Sequence, residues 1–375
     1  MIFSGDKPLF NRKYLLTLVW LLPVAILILS RLGPSADEVG KTIAPDQLWI
    51  ESEKPQLTIY FSQGSGLTTK DAARQALLLE GLKLRLDDPQ INELLYQQSW
   101  RVKPQSSSLY TALAISAADS IDSEALTILL ELLKQPPAID WTPIIERISA
   151  EAYLAGQNGR QRALDGLLSS SDLQLTARSY VELVDQPIHL LFQTASEPLP
   201  QSLESHTELS GLQPGKASIS VRSKEASTIS LWQLAAPTDS ASYLAQQTLG
   251  VLISQSLAEL PSTRIQQQLA PQGSLVLIET TAEAESLTAA LNQVSSDSDL
   301  FNSAIDQLER RWAQAIEQNR SSWSEAILLY NLEPLSLTSA FKRLRSDSET
   351  LLQPLLQQLQ QGADRRARLF NAQQG

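Results

Sequence analysis

Apolar and polar residues alternate along several short stretches of this chain, and such alternation predicts β-strands. These stretches are residues 56–64, 108–117, 217–237 and 273–282. Longer stretches repeat apolar residues every three or four positions, which is the spacing of an amphipathic helix. They are residues 68–86, 119–137, 141–156, 240–260, 283–294 and 296–318. Strands and helices do not alternate strictly, so the pattern favours the α+β class.

The order of the predicted elements repeats. A strand, an acidic turn, a leucine-rich helix, an acidic break and a second helix occupy residues 108–156, and the same order returns over residues 273–318. A recurrence at a fixed offset, here about 160 residues, indicates two copies of one supersecondary unit. We therefore expect two duplicated domains, each a mixed β-sheet covered by helices.

One apolar stretch differs from the others because it has no polar face. Residues 14–30 carry no charge and lie between Lys13 and Arg31. A helix of that length is about 25 Å long, enough to cross a slightly thinned bilayer core of about 30 Å. The residues assigned to this transmembrane anchor include Tyr14, Leu15, Leu16, Trp20, Pro23, Leu29 and Ser30.

Charges around the anchor predict its orientation. Lys7, Arg12 and Lys13 precede it, and positively charged flanks remain in the cytoplasm. We expect a single-pass protein of a bacterial inner membrane, with the bulk of the chain in the periplasm. A cleaved signal peptide is the alternative, although no A-x-A pattern follows residue 30.

The anchor and a proline- and serine-rich stretch after residue 195 divide the chain. The predicted organisation is a cytoplasmic N-terminus (1–13), the anchor (14–30), a linker (31–45), a first domain (46–195), an inter-domain linker (196–215) and a second domain (216–375).

Composition excludes several kinds of chemistry. The 375 residues carry a net charge of −11, so a nucleic-acid partner is not expected. The absence of cysteine excludes disulfides, thiolate metal sites and cysteine nucleophiles. The two histidines, His189 and His206, are 17 residues apart and cannot be paired ligands on one helix face. We read them as ordinary loop or edge residues, and we expect no cofactor.

Charged clusters give no clear catalytic signature. Acidic pairs such as Asp87 and Asp88 lie at predicted turns and helix starts, where carboxylates favour the helix dipole. Basic residues gather near the C-terminus without accompanying aromatic residues, which favours a solvated face or a partner contact. They are Lys342, Arg343, Arg345, Arg365, Arg366 and Arg368.

Three longer stretches resemble the pitrilysin/insulinase metallopeptidases, and in particular the short two-domain members related to mitochondrial processing peptidase. They are QLTIYFSQGSGLTTKDAARQALLLEGLKL (56–84), EALTILLELLKQPPAIDWTPIIERI (124–148) and LAPQGSLVLIETTAEAESLTAALNQV (269–294). The resemblance implies two domains, each a mixed sheet covered by helices, in agreement with the duplication.

Active members of that family carry an H-x-x-E-H zinc motif on the first long helix. The resemblance places Glu80 where the general base would be, and Leu77 and Gly81 where the two histidines would be. The third ligand would be Glu146 or Glu151. Neither an alkyl group nor a hydrogen atom can coordinate zinc. The resemblance therefore implies a non-catalytic member without catalytic residues or metal ligands, in which Glu80 is either a vestige or an ordinary solvent-facing residue.

The family also has an arginine and a tyrosine in the second domain that contact substrate. Arg264 lies in the matching neighbourhood and becomes the candidate peptide contact, but no tyrosine follows it before the next predicted strand. The resemblance implies a non-catalytic subunit that pairs with a zinc-bearing sister subunit and helps to bind peptide or protein substrates. Such pairing predicts an apolar face, which we expect on the second domain.

Two other functions are compatible with the sequence. A stand-alone periplasmic binding or scaffold protein would reuse the fold without a peptidase partner. An enzyme with unrelated carboxylate chemistry would use one of the acidic pairs.

Overall fold

The computed structural model describes residues 40–62, 66–107, 109–168, 174–185, 188–201, 215–269, 273–294 and 298–371. They all belong to one compact unit, Val39–Gly375. The other unit, Met1–Glu38, contains the predicted anchor and lies outside the described residues. Within the described ranges, no helix has both the length and the apolar character needed to cross a membrane.

The first half of the unit contains a six-stranded sheet. Its strands are β1 (Lys41–Ala44), β2 (Gln47–Glu51), β3 (Gln56–Ser62), β4 (Arg101–Ser106), β5 (Tyr110–Ser116) and β6 (Ile188–Thr194). Their order is β1-β2-β6-β3-β5-β4, with β2 and β6 parallel and all other neighbours antiparallel. Strand β1 corrects the predicted linker 31–45. This strand has only four residues and no alternation of apolar and polar residues that would predict it. It is stabilised by its pairing with β2.

Six described helices accompany this sheet. They are α1 (Thr69–Leu86), α2 (Pro89–Gln97), α3 (Ser123–Lys134), α4 (Thr142–Gly156), α5 (Gly159–Leu167) and α6 (Ala177–Val184). The Thr68 hydroxyl caps α1 by accepting from the Asp71 N–H, and Asp88 caps α2 by accepting from the Gln90 N–H. The apolar faces of α1, α3, α4 and α6 pack with one face of the sheet in a single core.

The second half contains a five-stranded sheet. Its strands are β7 (Ser218–Arg222), β8 (Ser227–Leu234), β9 (Arg264–Gln268), β10 (Ser274–Thr280) and β11 (Arg365–Phe370). The described helices of this half are α7 (Ser240–Ser256), α8 (Ala284–Val294), α9 (Ser298–Gln318), α10 (Ser322–Leu329), α11 (Leu337–Ser346) and α12 (Ser348–Gln360). Buried leucines of α7 lie at the centre of its core.

The two sheets have the same topology. The second sheet has the order β7-β11-β8-β10-β9, which matches β2-β6-β3-β5-β4 strand for strand. Each contains one parallel pair at the corresponding position, β2 with β6 and β7 with β11. The described residues thus contain two copies of one mixed sheet covered by helices, as the sequence repeat predicts.

Each half also covers a sheet face of the other. Leu48, Tyr60 and Leu191 of the first sheet belong to the core cluster of the second half, where α10 contacts β2 and β6. On the opposite side, α5 packs on β7 and β11, and Leu164 and Leu231 share another cluster. Both faces of both sheets therefore bury apolar residues, and the two halves stabilise each other.

Candidate functional site

The segment that the family resemblance singles out lies in the middle of α1. Leu77 and Leu78 are fully buried in the core of the first half. Helix α1 packs against α4 and α6 as well as the sheet. Leu77, at the position of the first histidine, therefore contributes to the core.

The position of the second histidine is also enclosed. The ring of Tyr180, on α6, lies beside Gly81, and a Cβ added there would overlap that ring and approach Trp141 Cη2 to 3.1 Å. The Tyr180 hydroxyl donates to the Leu133 carbonyl at 2.8 Å, and the Tyr180 and Trp141 rings are 5.6 Å apart. Burial raises the pKa of Tyr180 above its ordinary value of 10.0, and the neighbouring Arg85 opposes this only partly. A histidine at position 81 would displace this packing.

Glu80 lies on the outer side of α1, in a network of ion pairs. Its carboxylate pairs with Lys83 at 3.0 Å and with Arg147 of α4 at 3.3 Å. Arg147 also pairs with Glu151 at 3.3 Å. Glu146 is exposed on the same helix. A guanidinium group has only N–H donors, so Arg147 cross-links the two carboxylates and cannot itself coordinate a metal.

The acidic and histidine side chains of the described residues are dispersed. Nowhere in the described ranges do three or more histidine, aspartate or glutamate side chains form a group that could hold a metal ion. His189 lies on β6, inside the sheet, and its Nδ1 is 3.1 Å from Asp46 Oδ1. The expectation of a loop or edge position was therefore wrong for His189. His206 lies outside the described residues.

Arg264 lies at the start of β9, at the junction of the two halves. It is exposed and is the cross-strand neighbour of Glu279 on β10. Glu279 accepts from Arg160 Nε of α5 at 2.9 Å and from Ser227 Oγ at 3.1 Å. Arg160 also donates to Gln266 Oε1 at 3.0 Å. The described contacts of Arg264 and of Glu80 involve different residues, so the two predicted positions do not form one constellation.

A cavity of about 450 Å³ lies between α7, β9 and α9. Its lining includes Gly250, Ile265, Gln267 and Trp312, and Trp312 Nε1 donates to Gln247 Oε1 at 2.8 Å. Strand β9 is at one edge of its sheet. The volume falls in the range of ligand-binding clefts, and an edge strand offers unpaired backbone groups.

Sequence reasoning missed three residues that define these sites. The i,i+4 spacing of Arg147 and Glu151 on one helix is a local signal for their ion pair. Arg160 gives no local signal, because Glu279 is 119 positions away. Tyr180 gives none either, since its contact with Gly81 depends on how α6 packs on α1.

Comparisons with known proteins agree on the fold. No protein-family model and no curated protein matches the chain. An inactive peptidase M16 domain from Pseudomonas fluorescens is 15% identical, with a TM-score of 0.51 and coverage of 86% of this chain and 94% of that one. A putative M16-like peptidase from Alicyclobacillus acidocaldarius is 14% identical, with a TM-score of 0.57 and coverage of 89% and 98%.

The periplasmic protease PqqL from Escherichia coli is also similar, at 14% identity and a TM-score of 0.54. The match covers 87% of this chain but 46% of that protein. This chain therefore has the pitrilysin/insulinase-like fold of the M16 peptidases, as the sequence resemblance predicted. At these identities the likeness is one of fold.

Proposed function

We propose that this chain is a catalytically inactive pitrilysin-like protein that serves as the non-catalytic subunit of a zinc-peptidase complex. The observation that carries this proposal is the packing of Leu77 and Gly81, which leaves neither motif position available for a histidine ligand. A structural neighbour that is itself described as an inactive peptidase domain supports it.

We also propose that residues 14–30 anchor the chain in the bacterial inner membrane, with the remainder in the periplasm. The uncharged apolar stretch and its basic flank support this placement. The neighbour PqqL is described as periplasmic, which is compatible with it.

In this proposal the peptide substrate contacts β9 and the adjoining cavity. An extended peptide can add to an edge strand through its backbone and place side chains in a neighbouring groove. Strand β9 begins with the exposed Arg264, whose guanidinium suits a peptide carboxylate. The cavity beside Ile265 and Trp312 would receive apolar side chains.

We place the contact with the sister subunit on α4 rather than on the second half. Tyr153 and Leu154 are each 68% exposed, within two turns of Arg147. Only one of the large exposed hydrophobic side chains in the described residues, Phe370, belongs to the second half. Contiguous apolar patches mark contact surfaces, and we propose that Tyr153 and Leu154 belong to such a patch on α4.

The proposal is tested first by metal content and by partners. The full-length chain, purified in mild detergent, should carry well under one zinc per chain and should not cleave peptides. A tagged chain from native membranes should recover a protein that carries H-x-x-E-H. Tyr153→Ala combined with Leu154→Ala should reduce that recovery, whereas Tyr96→Ala, at a side chain 86% exposed on α2, should not. Stoichiometric zinc with chelator-sensitive proteolysis would overturn the inactive assignment.

The second candidate is a stand-alone scaffold protein. The observation in its favour is that the two halves cover each other's sheets, so the chain buries its cores without a sister subunit. Recovery of the tagged chain without any H-x-x-E-H protein would favour this candidate. A peptide-binding measurement on the isolated chain would then test whether the β9 cavity is used.

A further inference from the structure

The basic residues near the C-terminus separate into two sets in the structure. Arg343 pairs with Asp239 and Glu333, and Arg345 pairs with two carboxylates of α9. Arg365, Arg366 and Arg368 share strand β11, where alternate side chains point to opposite faces of the sheet. Arg365 is buried on the α5 side and donates to a backbone carbonyl and a glutamine. Arg366 and Arg368 are exposed on the other face.

Neither of these exposed arginines has a side-chain partner among the described residues. Within the described ranges, the guanidinium groups of Arg366 and Arg368 make no hydrogen bond and no ion pair. Arg366 differs from Arg368 because it lines a cavity.

That cavity has a volume of about 50 Å³ and lies between β8, β11 and the start of α8. Thr228, Ser230 and Thr280 line it together with Arg366, and Trp232 and Leu287 belong to its apolar side. Ser230 is directly opposite Arg366 in the register of β8 and β11. The guanidinium group and several hydroxyl groups thus surround one small space.

Ser230 provides an independent indication of a ligand. The residue is 3% exposed and lines the cavity, and its hydroxyl makes no hydrogen bond within the described residues. The hydroxyl is therefore available to a group that enters the cavity.

The start of α8 adds one further donor. Ala284 lines the cavity, and its backbone N–H makes no hydrogen bond within the part of the chain described. The first N–H groups of a helix favour a negative charge. Glu283 and Glu285 are exposed beside this helix start, and neither pairs with Arg366.

We propose that this cavity binds one small oxyanion group, a phosphate or a carboxylate. Its volume equals roughly four water-sized spheres at about 12 Å³ each, which suits such a group. Arginine binds planar and tetrahedral oxyanions through parallel N–H donors. In the bound state Arg366 provides the charge, the Ser230 hydroxyl donates a hydrogen bond, and the backbone N–H of Ala284 is a further donor.

The test is calorimetric titration of the full-length chain in detergent with sodium phosphate, and separately with sodium acetate, at constant ionic strength set by chloride. We expect saturable binding of at least one of the two anions. Arg366→Ala should weaken it at least tenfold, and Ser230→Ala about threefold or more. Arg368→Ala is the matched control, because Arg368 lies on the same strand and face but outside the cavity lining. It should leave the affinity unchanged within twofold.

Further arms distinguish the source of the anion. If acetate binds, a short peptide with a free α-carboxylate should bind and its C-terminal amide should not. If only phosphate binds, the natural ligand carries a phosphate group. Urea unfolding in chloride alone verifies that each variant is folded, and Arg366→Lys should retain part of the affinity. The proposal is overturned if neither anion binds more tightly than chloride, or if Arg368→Ala weakens binding as much as Arg366→Ala.

Discussion

The ring of Tyr180 lies against Gly81, in the space that any side chain at position 81 would occupy. Gly81 is in the interior of α1, and Tyr180 is on α6. The Tyr180 hydroxyl is held by the Leu133 carbonyl, and its ring packs beside Trp141. The second motif position is therefore closed by the packing of a whole helix, and restoring a histidine would require that helix to move.

The first prediction concerns Gly81→Ala. An alanine in a helix interior is usually more favourable than glycine by about 1 kcal/mol. Here the added methyl group would overlap the Tyr180 ring, and overpacking costs about 1–3 kcal/mol. We expect a net loss of up to about 2 kcal/mol in the free energy of unfolding, measured by urea denaturation.

The matched control is Gly156→Ala, at the last residue of α4. A Cβ there would meet only Thr69 Cγ2, at 3.9 Å. We expect no loss, and a gain of up to about 1 kcal/mol. A stabilised Gly81→Ala variant would contradict the close packing of Tyr180 on α1.

The second prediction concerns alkaline pH. Burial raises the pKa of Tyr180 above its ordinary value of 10.0, so the folded chain retains a proton that the unfolded chain releases. The contribution of Tyr180 to stability is complete below about pH 10 and is lost as the pH rises further, at up to about 1.4 kcal/mol per pH unit.

Tyr180→Phe removes this titration. We expect it to cost about 1 kcal/mol at neutral pH, because the Leu133 carbonyl loses its donor. Above pH 10 the free energy of unfolding of this variant should fall less steeply with pH than that of the parent chain, because the variant lacks the contribution of Tyr180. Urea denaturation between pH 7 and about pH 11.5 measures both effects. Tyr96→Phe, at an exposed ring, is the control. Equal slopes for the Tyr180→Phe variant and the parent would contradict the prediction.

Much of the fold could be predicted because many of its elements have a local signal. Each stretch with strand or helix periodicity contains an element of that type, as in β10 and α9. Strand β11 was not predicted, because RRARLF has few apolar residues and its partners β7 and β8 begin more than 130 positions earlier. Strand β1 was placed in a linker for a similar reason, since only its pairing with β2 indicates a strand.

For the candidate site, the sequence predicts only that the zinc-binding histidines of the family are missing. The family resemblance places Leu77 and Gly81 at the motif positions, but the enclosure by Tyr180 depends on tertiary packing. The link between Glu80 and Arg147 joins two helices whose contact the sequence does not specify. The sequence therefore offers Glu80 and Arg264 only as single candidate residues. The structure adds their neighbours, Arg147 for Glu80 and Glu279 for Arg264.

The third prediction concerns Arg147. Its ion pairs with Glu80 and Glu151 are largely exposed, with the Arg147 side chain 50% accessible. Exposed pairs contribute about 0–1 kcal/mol. We expect Arg147→Ala to lower the free energy of unfolding by less than about 1 kcal/mol, and zinc content to stay unchanged because Leu77 and Gly81 remain. Arg178→Ala, which breaks an exposed pair with Glu182, is the control. Zinc uptake by Arg147→Ala would show that its charge alone had excluded the metal.

The last prediction concerns the contact between α5 and the second sheet. The Arg160 and Glu279 side chains are 28% and 18% exposed, and Arg160 Nε is 2.9 Å from Glu279 Oε2. Arg160 also donates to Gln266, and Glu279 also accepts from Ser227. A partly buried, charged hydrogen bond of this kind contributes about 1.5–3 kcal/mol. A double-mutant cycle with Arg160→Met and Glu279→Gln should give a coupling energy in that range.

The matched pair for this cycle is Lys41 and Glu197, which are 2.6 Å apart but 62% and 42% exposed. We expect its coupling to be below about 1 kcal/mol, because solvent screens exposed charges. Equal coupling energies for the two pairs would mean that the Arg160–Glu279 ion pair does not stabilise the contact between the two halves. A larger coupling for Arg160 and Glu279 would mean that this ion pair links α5 of the first half to the strand pair on which Arg264 lies.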